Sequence, residues 1–352
     1  MTASVHLQTR GLQLARFAIA LAATKGDLLG AIPFAETKQW PQTVAVLKGL
    51  VSPLSQADVA NALSPVLFDL AEVLRPLTII GRLQGMRNVP FRTRALAQSA
   101  GGIGSWVSEG APISVRADAF AFVKELDALK VGAISIISAE LLMNATAASY
   151  PTIAADLVAG VAEAMDVSFI DPANGGDSAT PASVTHGATS FESTGSALAN
   201  VDADLGKLLG ALTDGNCSLS TAAWVMAPRT ASSLARLRGS GGGSAYPSIT
   251  ARGGSLLGLP VITSGNVKAT GSPGETLIAL IEASEVCVAD DGAGEVELTT
   301  VASVQMNDAP PGGAQQEISL WQSGLVGLKS TRVTNWTIRR ATSAAVLRSV
   351  LY

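Results

Sequence analysis

Residues 87–145 read RNVPFRTRALAQSAGGIGSWVSEGAPISVRADAFAFVKELDALKVGAISIISAELLMNA, and residues 151–171 read PTIAADLVAGVAEAMDVSFID. The first stretch predicts a long two-stranded ribbon that turns at the glycine-rich segment 100–104. An isolated two-stranded ribbon has too little to pack against for both of its faces to be buried within its own domain. We therefore expect a chain that completes its fold on neighbouring copies, as an assembly subunit does.

Periodicity places the elements of this region. Apolar and polar residues alternate over 89–95 and 113–126, the two ribbon strands, and again over 129–137, a strand of the main sheet. Pro90 restricts the first ribbon strand to an edge, because proline cannot donate a ladder hydrogen bond. An apolar stripe opposite an acidic face predicts a long, one-sided helix over 151–168.

Composition supports a protein with much of its surface hidden. The 352 residues are 47% hydrophobic and only 15% charged, whereas charged residues make up about a quarter of an ordinary soluble domain. The length allows two compact domains or one elongated subunit. The net charge of −4 argues against a general nucleic-acid binder, which carries a basic excess.

The cysteines and the apolar segments indicate neither secretion nor a membrane. Cys217 and Cys287 lie far apart without a CxxC motif, so we expect two small buried hydrophobes in a reducing compartment. No segment approaches the roughly 18–20 apolar residues of a membrane span. The apolar stretch 17–23 is short for a signal peptide and fits a helix better.

The rest of the chain predicts a helical arm and an α/β domain. The first 75 residues form an arm with helices at 7–23, 43–51 and 65–74. A loop region covers 171–200, and helices then alternate with strands over 201–294. The predicted helices of that domain are 201–212 and 230–237, its strands are 224–227, 259–263 and 277–281, and further strands are 296–300, 318–321, 325–328 and 336–340.

Charges are unevenly placed along the chain. Residues 131–206 contain nine acids and no lysine or arginine, while Arg82, Arg87, Arg92 and Arg94 crowd the base of the ribbon. Two interpretations stay open, namely solvated faces or complementary patches that meet between subunits. In the second, opposite charges set the register of the contact.

The sequence contains few features of a catalytic site. There is no GxSxG motif, and the only histidines are His6 and His186. No cluster of His, Cys and carboxylates has the spacing of metal ligands. The glycines of GGIG (101–104) and RGSGGGS (238–244) fit a ribbon tip and a mobile loop. We expect no catalytic, cofactor-binding or metal-binding residues.

Seven motifs carry a family resemblance. Their order and spacing resemble those in the tailed-bacteriophage major capsid protein family. The fold of that family is shared with encapsulins and the herpesvirus capsid floor. The resemblance covers about residues 70–345. The motifs are VPFRTR (89–94), GGIGSWVSEGAP (101–112), AFVKELDALKVGAISIISAELL (121–142), VSFIDPANG (167–175), WVMAPRTASSLARLR (224–238), GLPVITSGNV (258–267) and LWQSGLVGLKSTRV (320–333).

The resemblance implies an α+β fold with four parts. They are an N-terminal helical arm (1–75), an extended β-hairpin loop (76–128), a peripheral domain (129–200 and 295–352) with the spine helix 151–168, and an axial α/β domain (201–294). Residues 239–243 and 290–294 would lie near the fivefold and sixfold axes, and the loop 305–316 near the threefold junctions.

The implied function is that of a major capsid subunit. Copies would assemble as hexamers and pentamers into an icosahedral shell around double-stranded DNA in the host bacterial cytoplasm. A portal protein at one vertex and a scaffold or decoration protein would be partners. The alternatives are an encapsulin shell protein, which needs a groove for a cargo peptide, and a soluble α/β enzyme built on 201–294.

Candidate site residues follow from this map. The ribbon residues Arg87, Arg92, Arg94, Trp106 and Glu109 are expected to contact an adjacent subunit, with Trp106 either an apolar anchor there or folded back on its own ribbon. The interior acidic face of the spine helix is expected to repel packaged DNA. Its residues are Asp156, Glu163 and Asp166.

Two features bear on how such a shell would be stabilised. Some family members crosslink through a lysine of the extended loop, but residues 87–115 contain no lysine. We therefore expect non-covalent contacts, in the obligate range of roughly 2,000–5,000 Å². Because the sequence starts at Met1, the helical arm is expected to be retained rather than removed as a scaffolding segment.

Overall fold

A computed structural model of the chain describes most of its length. Contacts between residues divide it into two compact units. The first unit contains residues 1–77, 130–164 and 292–333, and the second contains 78–129, 165–291 and 334–352. The described residues are 12–24, 27–51, 77–93, 96–98, 106, 120–122, 125–138, 140, 150–267, 274–306 and 316–352.

Seven α-helices lie in the described residues, and sequence periodicity located five of them. The helix predicted over 65–74 lies outside the described residues. The four-residue helix α4 and the helix α2, which contains Pro33, were not predicted. The helices are α1 (Leu12–Ala23), α2 (Leu28–Thr37), α3 (Pro41–Val51), α4 (Ile79–Arg82), α5 (Tyr150–Ile170), α6 (Leu198–Asp214) and α7 (Pro228–Arg236).

Fifteen strands lie in the same residues. The predicted strands 325–328 and 336–340 are one strand, and the predicted strand 296–300 is the end of a longer one. The strands are β1 (Arg87–Asn88), β2 (Leu96–Gln98), β3 (Phe120–Phe122), β4 (Lys130–Ser138), β5 (Thr189–Glu192), β6 (Ala222–Met226), β7 (Ile249–Thr250), β8 (Gly253–Leu256), β9 (Leu259–Thr263), β10 (Thr276–Glu282), β11 (Val286–Thr299), β12 (Ser303–Met306), β13 (Gln316–Ser319), β14 (Leu325–Ile338) and β15 (Ala344–Val350).

The first unit combines three small helices with antiparallel strand pairs. Helices α1, α2 and α3 pack on one another around small and apolar side chains, including Ala31, Ala35 and Leu47. Strand β4 pairs antiparallel with β14 over nine residues. Strands β12 and β13 pair antiparallel. Gln305, Met306 and Gln316, which were predicted to belong to a loop, are part of these strands, and the rest of that predicted loop lies outside the described residues.

The second unit is built on a seven-stranded sheet in the order β5-β15-β10-β6-β9-β8-β7. Strand β6 is buried throughout, which is the burial expected of a central strand. Helices α6 and α7 cover one face with a stripe of apolar residues that includes Leu205, Leu208 and Leu234. Strands β5 and β15 belong to this sheet although they lie outside the range 201–294 predicted for the axial domain.

The first ribbon strand differs from its prediction. Val89 and Phe91 are partly buried and pack on Leu126, as the period-two pattern predicted. The backbone, however, turns at Phe91 and Arg92 instead of extending, and Arg92 has a φ of 60°. A left-handed residue ends a strand, so the continuous strand over 89–95 was wrong.

The backbone conformation at one position of the sheet requires glycine. Gly254 in β8 has a φ of 135°, and a Cβ there would lie 2.1 Å from the carbonyl oxygen of Ser248. We expect Gly254→Ala to lower the free energy of unfolding by about 1–3 kcal/mol, because the side chain meets backbone and the φ is strained. Urea denaturation would measure the loss.

Gly241 is the matched control for that substitution. A Cβ at Gly241 meets nothing within 4 Å, and its φ is not in the left-handed region. Gly241→Ala should therefore leave the unfolding midpoint nearly unchanged. Equal midpoints for the two variants would contradict the assignment of strain to Gly254.

Candidate functional site

The predicted site residues at the ribbon base occupy one short segment of the second unit. Arg87 lies in β1, which pairs parallel with the start of β11. Its Nε donates a 2.7 Å hydrogen bond to the carbonyl oxygen of Ser284, so this guanidinium contacts its own chain. The backbone N–H of Arg92 donates to the carbonyl oxygen of Leu126 at 2.8 Å, and the side chain of Arg92 is exposed.

Trp106 lies two residues after the predicted glycine-rich turn 100–104. Its side chain is fully exposed, at 105% of the reference area. An exposed tryptophan is the arrangement that an apolar anchor for another chain requires. Arg94 and Glu109 lie outside the described residues.

Helix α5 extends the predicted spine helix by one or two residues at each end. Glu163 is exposed on it, and Asp156 lies in the same helix one and a half to two turns earlier. Asp166 was predicted to share their face, and that prediction was wrong because its side chain is completely buried. Around it the helix is covered, and Val161, Met165 and Phe169 are buried as well.

The Asp166 carboxylate joins three segments of the second unit. Its Oδ1 accepts from the backbone N–H of Ile79 at 2.6 Å, and its Oδ2 accepts from Ser264 Oγ at 2.8 Å and Asn266 Nδ2 at 2.9 Å. These donors bring the start of α4 and the segment after β9 to one side chain of α5. A buried carboxylate needs such partners because desolvation penalises its charge.

Burial governs the electrostatics of this carboxylate. Desolvation raises the pKa of Asp166 above its ordinary value, although its three hydrogen bonds and the charge of Arg82 act in the opposite direction. Burial also lowers the pKa of Arg82, and the attraction of Asp166 opposes that shift. The group is therefore a structural junction held by charge and hydrogen bonds.

A second charge network, with buried carboxylates, joins the segments that follow β10 and β14. Glu285 faces Arg340 at 2.9 Å and Arg339 at 3.5 Å, and this hydrogen bond raises the pKa of Arg340. Glu282, also buried, accepts from Ser284 Oγ at 2.9 Å and from the hydroxyl of Thr221. One sequence signal points to this network, namely the acid Glu282 directly after the predicted apolar strand 277–281. No site was predicted from it.

The described residues show no arrangement of catalytic or metal-ligating groups. No cluster of three or more His, Cys, Asp or Glu side chains suits a metal ion among them. His186 is exposed, and its Nδ1 lies 3.1 Å from the carbonyl oxygen of Pro172. Cys217 and Cys287 are buried, free thiols, as predicted. Within the described ranges no helix has the length and apolar character to cross a membrane.

The chain is similar in sequence to known capsid proteins. A sequence profile described as the phage capsid family matches residues 69–308. The capsid polyprotein of Pseudomonas phage PAJU2 is 35% identical over 294 residues, covering 81% of this chain and 44% of the polyprotein. The chain thus spans less than half the length of that relative.

Solved structures give the same fold. A chain from Gordonia phage Cozz superposes with a TM-score of 0.53 at 16% identity, covering 77% of this chain and 86% of that one. A structure titled "Capsid of native GTA particle computed with C5 symmetry" superposes with a TM-score of 0.52 at 14% identity, covering 76% of this chain and 89% of that one. These likenesses show the fold, and they do not favour the encapsulin alternative.

The α+β fold class predicted from the sequence is therefore confirmed. Because the family profile matches more than half of the 352 residues and the solved relatives share the architecture, the chain has the tailed-phage major capsid fold and belongs to the phage capsid family.

Proposed function

We propose that this chain is the major subunit of an icosahedral shell, assembled as hexamers and pentamers around phage double-stranded DNA. The membership of the phage capsid family carries the proposal. The low charged fraction of 15% supports it, as do large exposed apolar side chains at Trp106, Ile134 and Trp321, because subunit contacts hide such groups. Its role in the virion is structural rather than catalytic.

The proposed assembly takes place in the bacterial host's cytoplasm and involves further partners. We propose a portal protein at one vertex and a scaffold or decoration protein as partners of the shell. The division into arm (1–75), extended loop (76–128), peripheral domain (129–200 and 295–352) and axial domain (201–294) belongs to the same proposal.

Electron microscopy of the purified chain, with light scattering beside it, tests the proposal. Closed shells several times wider than a subunit, or rings of five and six, are the expected particles. Small uniform shells that enclose a co-purified protein would favour an encapsulin instead. A chain that stays monomeric under every salt condition and turns over a substrate would overturn the structural role.

The ribbon arginines provide a first prediction about assembly. Arg92 is exposed, and an arginine at a subunit contact binds carboxylates through its planar fork. We expect Arg92→Glu to reduce the yield of shells roughly tenfold or more while leaving the circular dichroism spectrum unchanged. Quantitative sedimentation of shells against free subunits measures this.

Arg252 offers the matched control for that experiment. It is exposed in the turn between β7 and β8, and Arg252→Glu makes the same charge change outside the ribbon. A normal shell yield with Arg92→Glu would show that Arg92 makes no important contact.

The acidic part of α5 provides a second prediction. We propose that Asp156 and Glu163 face packaged DNA and repel its phosphates, so that the DNA does not adhere to the shell. Changing both residues to lysine should leave shell assembly intact but reduce the infectious titre of phage roughly tenfold or more. An unchanged titre would contradict this role, and a failure to form shells would place the residues at a subunit contact.

A further inference from the structure

The outward side of helix α7 is a basic surface of the second unit. Arg229, Ser232, Ser233 and Arg236 recur at intervals of three and four residues, so they lie on one face of the helix. The opposite face is buried and includes Leu234. The four outward residues, here called the basic stripe, line a shallow surface cavity together with Ser196 and Tyr352.

The charge of the basic stripe is uncompensated. Arg229 and Arg236 are exposed, and neither guanidinium forms an ion pair within the described part of the chain. Their Cα atoms are about 10 Å apart along the axis, at 1.5 Å per residue. The surrounding sequence, residues 215–274, contains five basic residues and no acid. Positive charge is therefore concentrated at this surface, although the net charge of the whole chain is negative.

A groove of opposite charge lies elsewhere on the same unit. It has a volume of about 460 Å³, and Asp171, Glu192 and Glu275 line it together with one basic residue, Arg348. Within the described residues, the side-chain carboxylates of Glu192 and Glu275 take part in no hydrogen bond or ion pair. The groove, here called the acidic groove, is thus lined by three acidic residues and one arginine, with apolar walls that include Ile170.

A bulge in β15 shapes the wall of the acidic groove. The register between β10 and β15 shifts between Thr276 and Ile278, and Ser349 has a φ of 55°. Bulges of this kind bend a strand and change where its side chains point. Ser349, Thr276 and Leu277 all line the groove, so the irregularity lies in its wall.

The basic stripe and the acidic groove are on opposite faces of the seven-stranded sheet. Leu347 belongs to the apolar cluster beneath α6 and α7. Arg348, the next residue of β15, therefore projects from the other face. Glu192 pairs with Arg348 across the strands and projects the same way, so the acidic groove opens on the face that α7 does not cover.

Opposite placement decides the kind of contact that these surfaces can make. A two-fold contact joins the same patch on both copies, whereas a head-to-tail contact joins two different patches and closes into a ring when the rotation permits. Complementary charges on opposite faces of one unit suit the head-to-tail type. We propose that the basic stripe of one copy binds the acidic groove of the next copy in a ring of identical subunits. This interface rests on the shell function proposed above and names the surfaces that build it.

Charge reversal of each surface tests the interface. Variant A carries Arg229→Glu with Arg236→Glu, and variant B carries Glu192→Arg with Glu275→Arg. Each alone should self-associate roughly a hundredfold more weakly than the wild type, because like charges then face each other. Mixed in equal amounts, A and B present complementary pairs at every contact of a ring in which they alternate, so six-membered rings should form again. A five-membered ring cannot alternate and keeps at least one like-charge contact, so pentamers should stay weak. Analytical ultracentrifugation and electron microscopy of the full-length chains measure both results.

Two controls make the outcome specific. Arg238→Glu with Arg252→Glu reverses two exposed arginines outside the basic stripe and should assemble like the wild type. Wild-type assembly should also weaken as salt is raised, since exposed ion pairs are screened. Circular dichroism of variants A and B checks that both are folded.

The results separate this interface from the shell proposal. If the wild type forms shells and variant A forms them equally well, the interface is wrong and the shell function stands. If A and B each fail and their mixture also fails, the two surfaces do not meet each other. If variant A assembles normally but binds a double-stranded DNA duplex more weakly than the wild type, the basic stripe is a nucleic-acid surface instead. A wild type that never associates under any salt condition would overturn the interface, and turnover of a substrate by that monomer would overturn the shell function as well.

Discussion

Replacing Trp224 with alanine should lower the free energy of unfolding by about 3–5 kcal/mol, the range observed when a buried aromatic side chain is removed. Trp224 lies in the central strand β6, and its side chain is completely buried. Its Nε1 also donates a 3.0 Å hydrogen bond to the carbonyl oxygen of Leu256. The substitution therefore leaves a large cavity and removes one hydrogen bond to a buried carbonyl group.

Trp321 makes a direct control for this prediction. The same substitution at Trp321, whose side chain is 74% exposed, should change the unfolding free energy by no more than about 0.5 kcal/mol. Urea denaturation followed by tryptophan fluorescence measures both variants. A loss below about 1 kcal/mol for Trp224→Ala would show that the cluster beneath α6 and α7 tolerates the cavity.

Replacing Asp166 with alanine should lower the free energy of unfolding by about 3–5 kcal/mol, because buried donors lose a charged acceptor. The Ile79 N–H, Ser264 and Asn266 would each lose a hydrogen bond. Arg82 would lose the carboxylate that opposes the effect of its burial. The start of α4 and the segment after β9 should therefore loosen together.

Two further variants show whether that loss of stability comes from the charge and hydrogen bonds of Asp166. Glu163→Ala removes an exposed acid one turn earlier on the same helix and should change the unfolding free energy by no more than about 0.5 kcal/mol. Asp166→Asn keeps the shape of the side chain but lacks its charge, so its effect should be intermediate. Hydrogen exchange at the Ile79 amide gives a local measure, and unchanged protection in Asp166→Ala would contradict the junction.

Sequence periodicity predicted the helices and strands whose apolar residues recur at one clear interval. The apolar stripe of α5 and the alternation in β4 are local patterns, and the structure contains both elements near the predicted bounds. The buried runs that became β6, β9 and β10 were also visible as short apolar segments. These predictions succeeded because a buried strand or a one-sided helix requires its own residue pattern.

Elements without such a pattern were missed. Helix α2 contains Pro33, which argues against a helix in sequence terms because proline removes a backbone donor. Strand β5 lies in a segment rich in glycine, serine and threonine that indicated only a loop. Strand β15 follows the last predicted strand, 336–340, and its place between β5 and β10 depends on partners distant in sequence.

The sequence by itself determined the family, the α+β class, the long helix α5 and the concentration of acids before residue 206. Tertiary structure alone decided which of those acids meet solvent. Glu163 and Asp166 are three residues apart on one helix, yet one is exposed and the other is buried. A helical pattern records only the direction in which a side chain projects. Whether that direction ends in solvent or at Ile79, Ser264 and Asn266 depends on segments about 90 to 100 residues away, which no local pattern contains.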